Sequence, residues 1–216
     1  MASADDSRST RGGDASTSSA HKKVDDRTTR LNRWSTCAIS GHPLNPPLAA
    51  DYLGNLYNRE AIVEFLLGRC GSFADEEAEH RYANQLREGG QSFEHLKSLR
   101  DIFTLRLTPG KESGEAQVSS ETVAPYICPV TDLSCLRYPF TALPDCGHAF
   151  SNRAISQMQD MACGLCGKPF LQEDVVPLIG TAEQIQDLRQ QLDRRRAKKA
   201  SKEGSKSKKR KLSTAG

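Results

Sequence analysis

The sequence predicts an α+β chain of two small ββα modules in tandem, flanked by disordered termini. Three observations predict it: two blocks of similar sequence, a Cys/His set confined to the second, and low-apolar stretches at both ends and between the blocks. The chain has 216 residues, of which 37% are hydrophobic and 6% aromatic. Those fractions fall below the globular norm and argue against one large core.

Charge is unevenly placed. The formal net charge is +3, yet Arg189 to Lys211 holds twelve basic residues against two acidic ones. That run carries +10, so the remainder carries −7. An acidic-leaning body bears a basic tail. No apolar run approaches the ~20 residues that span a bilayer, the longest patch being Ala61 to Leu67. Met1 to Ala20 contains no apolar stretch, so no secretory signal and no membrane partner is expected. Seven cysteines without an export signal point to metal ligation in a reducing compartment rather than to disulfides.

The chain divides by composition. Residues 1–31 cannot bury enough surface to offset their ordering entropy and are expected to be disordered. Trp34, the single tryptophan, is the expected first core anchor. The first module is assigned to 32–108, with 71–90 as an enlarged, charged connection inserted in it. Residues 109–123, opening Pro109-Gly110-Lys111-Glu112-Ser113-Gly114, read as a linker. The second module is 124–180, followed by a helix over 181–197 and a basic disordered tail over 198–216.

The two blocks align. Cys37-Ala38-Ile39-Ser40 matches Cys128-Pro129-Val130-Thr131; Gly54 meets Gly147, Tyr57 meets Phe150, and Ala61-Ile62 meets Ala154-Ile155. Each block ends in a short helix with an expected capping residue, Asn58 or Ser151. Ile62, Phe65 and Leu66 fall on one helical face, as do Ala154, Ile155 and Met158. The pattern reads as loop, hairpin and helix, used twice.

The second block carries Cys146-x-His148 and, fourteen residues on, Cys163-x2-Cys166. Three thiolates and an imidazole form a tetrahedral set with no open position, which is the signature of one structural zinc rather than of a metal-activated water. Cys135 and Cys70 have no evident partners. His42 and His95 read as surface or satisfied histidines.

This set resembles half of a RING finger, with Cys146, His148, Cys163 and Cys166 in the third, fourth, seventh and eighth ligand slots. The other RING site would need Cys128 and residues 131, 151 and 154, which here are Thr131, Ser151 and Ala154. The resemblance therefore implies that this zinc is lost and that Thr131 and Ser151 hold the end by polar contacts, as in U-box and SP-RING domains. The first block has Leu53 and Asn55 where the second has Cys146 and His148, so it resembles a metal-free U-box copy.

Longer strings resemble the replication termination factor 2 family. They include Arg33 to Ser40, Leu53 to Asn58, His95 to Asp101, Leu105 to Thr108, Ile127 to Thr131, Cys146-Gly147, Ala149 to Ser151, Asp174 to Val176 and Gly180-Thr181, in family order. The resemblance implies a nuclear protein that stabilises paused replication forks and supports replication termination, with fork-associated proteins as partners. Some members are connected to pre-mRNA splicing, which leaves a splicing accessory factor as an alternative. The family's glycine-rich basic start is not evident here.

A ubiquitin or SUMO ligase is the other alternative, since RING-type ligases dock a conjugating enzyme without an active-site nucleophile of their own. Val130 and Pro169 fall where such a groove is expected, while the usual cationic position after the eighth ligand is Gly167, with Lys168 one step on. No catalytic residues are otherwise indicated.

At the end of the chain, Thr181-Ala182-Glu183-Gln184 fits a capping box. Ile185, Leu188 and Leu192 then form a narrow apolar stripe. Two basic clusters follow: Arg194, Arg195, Arg196, Lys198 and Lys199, then Lys208, Lys209, Arg210 and Lys211. They read as a nuclear import signal. The rival readings are non-specific attraction to a nucleic-acid backbone and a solubilising tail.

Overall fold

The computed structural model describes residues 26–89, 93–110, 124–158 and 160–212, with only the backbone course given at 88–89 and 198–212. The N-terminal tail up to residue 25, linker residues 111–123 and the last four residues lie outside this set.

Each module is a three-stranded antiparallel sheet with a helix. In the first, β1 (Leu48–Asp51) lies between β2 (Leu56–Asn58) and β3 (Ile102–Leu105). Helix α2 (Arg59–Arg69) follows β2 and buries Ile62, Phe65 and Leu66, the face expected from their spacing. In the second, β6 (Phe140–Ala142) lies between β7 (Ala149–Ser151) and β8 (Val176–Leu178), and α4 (Asn152–Gln157) follows β7.

Register makes the duplication explicit. Ala49 pairs with Tyr57 and Thr104, as Thr141 pairs with Phe150 and Pro177. The third strands, β3 and β8, extend the repeat beyond the hairpin and helix read from sequence. Between the modules, β4 (Thr108–Pro109) and β5 (Tyr126–Ile127) form a two-residue ladder.

Ser151 caps α4 by accepting the Ala154 amide at 3.3 Å, as expected. Asn58 does not cap α2. Its side chain instead accepts the Asn45 amide and donates to the Pro43 carbonyl, both at 2.9 Å, so it pins the preceding loop.

The largest core draws on both modules. Leu48, Leu56 and Phe103 from the first join Phe140, Phe150 and Val176 from the second. Trp34, fully buried on the helix over 26–35 (α1), meets Phe140 edge-on at 5.6 Å between ring centroids. Arg30 on the same helix donates to the carbonyls of Cys135 and Tyr138 at 3.1 and 2.8 Å. Helix is thus already formed at 26, the first described residue, within the span the sequence reading gives to the tail, because its packing partners lie about a hundred residues away.

A smaller core belongs to the first module alone and contains Cys37, Ile39, Tyr57, Phe65, Phe93 and Leu96. The 71–90 connection supplies α3 (Glu76–Gly89), which packs on α2 through Tyr82, 5.4 Å from Phe65 between ring centroids. Gly68 makes room for it: a Cβ there would lie 2.7 Å from the Tyr82 ring. Helix α5 (Ala182–Leu212) runs on past residue 197, where the sequence reading ends it. Ala, Lys, Arg and Glu are good helix formers, and Gly204 is the one poor former in that stretch. The capping box forms, with Thr181 and Gln184 exchanging bonds of 3.0 and 3.4 Å.

Candidate metal centre

The β6–β7 turn brings the first two candidate ligands together. The Gly147 amide closes the turn on the Leu143 carbonyl at 2.7 Å, with Gly147 itself at φ +76°. This places Cys146 and His148 on either side of a residue that needs no Cβ. The other two come from the loop after α4, where the Cys163 amide donates to the Lys168 carbonyl at 2.8 Å and the Gly167 amide to the Cys163 carbonyl at 2.8 Å.

One ligand atom from each of Cys146, His148, Cys163 and Cys166 lies within 4.8 Å of all the others. His148 Nδ1 is 3.4 Å from the Cys163 sulfur, which identifies it as the ligating nitrogen. Tetrahedral zinc with bonds of about 2.1–2.3 Å requires ligand atoms roughly 3.5–3.8 Å apart, so the cluster has the size and the donor chemistry for such an ion. The set could hold one metal ion and, with four protein donors, leaves it no open position. Burial, helped by the neighbouring Cys163 and Cys166 sulfurs, pushes the Cys146 thiol up to about 11. The Lys168 amide lowers that of exposed Cys166. Burial and the nearby Arg106 charge lower the His148 imidazole, favouring the neutral form that can ligate.

At the opposite end of this module Thr131 and Ser151 hydrogen-bond each other at 2.9 Å. Although burial opposes it, hydrogen bonds from Ser151 and Thr131 to the Cys128 sulfur lower its thiol pKa. Two hydroxyls and a sulfur thus occupy the place of a second metal.

The first module solves the same problem differently, through a residue the sequence reading did not single out. Asp51 is fully buried, and its carboxylate accepts the Leu53 and Asn55 amides at 2.9 and 2.8 Å, the Asn55 side chain at 2.9 Å and the Tyr57 hydroxyl at 2.8 Å. His95 Nε2 lies 2.7 Å from the same carboxylate. Leu53 and Asn55 align with Cys146 and His148, so Asp51 organises the turn that metal would organise in the second module. The sequence shows there only an acidic residue ending the apolar run Leu48-Ala49-Ala50.

The candidate groove residues Val130 and Pro169 are both exposed, Val130 by 51%. Of the basic cluster, Arg195 donates to Asp174 at 2.7 Å and Arg196 to Asp101 at 2.8 Å, while Arg194 is exposed. Lys198, Lys199, Lys208, Lys209, Arg210 and Lys211 follow on the backbone of α5. No helix among the described residues is long and apolar enough to cross a membrane.

A family model described as Rtf2 RING-finger matches residues 9–215. The chain belongs to the Rtf2 RING-finger family. Replication termination factor 2 of Gallus gallus is 34% identical over 184 residues, covering 82% of this chain and 56% of the relative. The Bos taurus protein of that name is 32% identical over 199 residues, 88% and 61% of the two chains. That of Mus musculus is 32% identical over 183 residues, 81% and 55%. The chain spans about three-fifths of the length of these Rtf2 relatives. The Cys/His cluster and the paired ββα modules lie within the matched span.

Proposed function

We propose that this protein acts in the nucleus at replication forks, stabilising paused forks and supporting site-specific termination of DNA replication through protein–protein contacts of its two modules. The observation that carries this reading is the match to replication termination factor 2 along nearly the whole chain. A closed Cys3His set supports a scaffold, because the ion, zinc in this reading, would spend all four positions on holding the fold. Affinity purification of the tagged chain should recover replisome components, and cells lacking the gene should lose fork arrest at a polar barrier on two-dimensional gels. Recovery of spliceosomal proteins with unchanged fork arrest would overturn it in favour of a splicing factor.

A second reading, ligase-type docking on the zinc module, is favoured by one contrast. Ile39 in the first module is buried in a cluster with Phe65, Phe93 and Leu96, whereas its counterpart Val130 is 51% exposed and Leu165 of the Cys163–Cys166 loop is 52% exposed. Gly164 lies between Val130 and Met158, where an added Cβ would stand 3.7 and 3.3 Å from their side chains. A panel of conjugating enzymes with zinc-loaded protein tests it: chain formation abolished by Val130→Arg supports docking there, and silence across the panel rejects it.

A further inference from the structure

Helix α5 crosses both modules. Its Leu188 and Leu192 are buried beside Tyr52 of the first module and Val175 and Val176 of the second. Arg195 donates to the Glu173 carbonyl and to Asp174, each at 2.7 Å, and its guanidinium stands 5.5 Å from the centre of the Tyr52 ring. Arg196 donates to Asp101 at 2.8 Å and to the His95 carbonyl. One arginine fastens each module, and two leucines are the deeply buried apolar anchors.

Two features make this fastening releasable. The Arg195–Asp174 pair is well exposed on both sides, and exposed ion pairs contribute little to stability. The pivot is strained: Ile179, just ahead of the helix, sits at φ +50°, an outlier for a β-branched side chain. It is held there by its amide bond to the Gly54 carbonyl at 2.9 Å. Strain of this kind concentrates at switch segments.

From Asp193 to Lys211 no apolar side chain is larger than alanine, while eleven residues are basic. A protein partner's interface would need an apolar centre, which this run lacks. A phosphodiester backbone needs only cations, and guanidinium groups bind its phosphates bidentately. Lys198 and Lys199 follow Arg195 and Arg196 within one helical turn, so the two arginines head the basic run on the backbone of α5.

We propose that this run binds a nucleic-acid backbone, and that Arg195 and Arg196 are its latch residues: in the free protein they fasten α5 across the module seam, and on a bound strand they exchange Asp174 and Asp101 for phosphates and release it. Binding and unlatching are then linked, so loosening the latch must tighten binding by the same factor.

The test uses the full, metal-loaded chain and a fluorescein-labelled oligothymidylate of about 25 nucleotides, a length that covers the whole run. Anisotropy should show affinity falling with salt at a log–log slope of about −4, as for roughly six neutralised phosphates. Replacing Lys208, Lys209, Arg210 and Lys211 by Gln should weaken binding about tenfold. Asp174→Asn should tighten it several-fold, while Glu173→Gln, an equal loss of charge next to it, should change little. Hydrogen exchange at the amides of 185–196 should quicken on binding. Absence of salt-dependent binding overturns the site. Equal effects of Asp174→Asn and Glu173→Gln, or unchanged exchange over 185–196, overturn the latch. Equally tight binding of a polyglutamate peptide of matched charge overturns the nucleic-acid assignment.

Discussion

Gly54 and Gly147 hold the same turn in the two modules, and each is pressed against the other module's third strand. The Gly147 carbonyl accepts the Arg106 amide at 2.7 Å, and the Gly54 carbonyl accepts the Ile179 amide at 2.9 Å. A Cβ on Gly54 would lie 2.0 Å from the Pro177 carbonyl oxygen, and one on Gly147 2.2 Å from that of Thr104. The exchange is reciprocal, so the chain is built as a fused two-fold pair with its principal core at the seam.

Gly147→Ala and Gly54→Ala should therefore each lower stability by more than the ~1–2 kcal/mol that a left-handed backbone alone costs an L-residue. Gly167→Ala is the control, having φ +67° but nothing within 4 Å of the new methyl. Thermal melts of the three variants should place Gly167→Ala clearly above the other two.

Replacing Asp51 by Asn keeps the shape and removes the charge that Tyr57, Asn55 and His95 surround. One amide nitrogen would then face donors in a fully buried site. A loss of about 3 kcal/mol in denaturant midpoint analysis is expected, typical of stranding partners of a buried charged group.

Elemental analysis should return one zinc per chain, and Cys163→Ser should lose it, whereas Cys70→Ser and Cys135→Ser should retain it. In Cys163→Ser the β6–β7–β8 sheet should unfold first, seen as fast hydrogen exchange there, because metal affinity in so small a core is largely folding free energy.

Proton competition sets the pH dependence of that ion. The Cys146 thiol, raised to about 11, keeps its proton at neutral pH in the absence of metal, so binding must expel it. Zinc affinity should therefore fall as the pH is lowered through neutrality, and more steeply once His148 protonates. A chelator-competition titration at several pH values checks the slope.

The sequence was most legible where chemistry is local. Cys146-x-His148 and Cys163-x2-Cys166 carry their geometry in their spacing, and Thr181 to Gln184 carries its own cap. The repeat was readable up to the helices, since Gly54 and Gly147 mark turns that need φ above zero. What escaped depends on distant partners. Strand β3 pairs with β1 across about fifty residues, and nothing in Ile102–Leu105 names Leu48–Asp51 as its neighbour. Asp51 reads as a surface carboxylate until His95 and Tyr57 are brought to it. Helix α3 looks like a charged insert because Tyr82 is its principal packing group, and its cradle, Gly68, is recognisable from the packed pair alone. Arg195 and Arg196 look like free cations until Asp174 and Asp101 are in place.

The β4–β5 ladder joins the ends of the connection between the two halves, and the Gly110 amide donates to the Pro125 carbonyl at 2.9 Å just inside it. The chain leaves and returns at one point, so closing a longer excursion there costs only a slowly growing entropy. Residues 111–123 are thus the natural place for a protease site, a fluorescent reporter or a new pair of termini. Cleavage at that point would leave two pieces held by their common interior, a split protein whose reassembly could be followed directly.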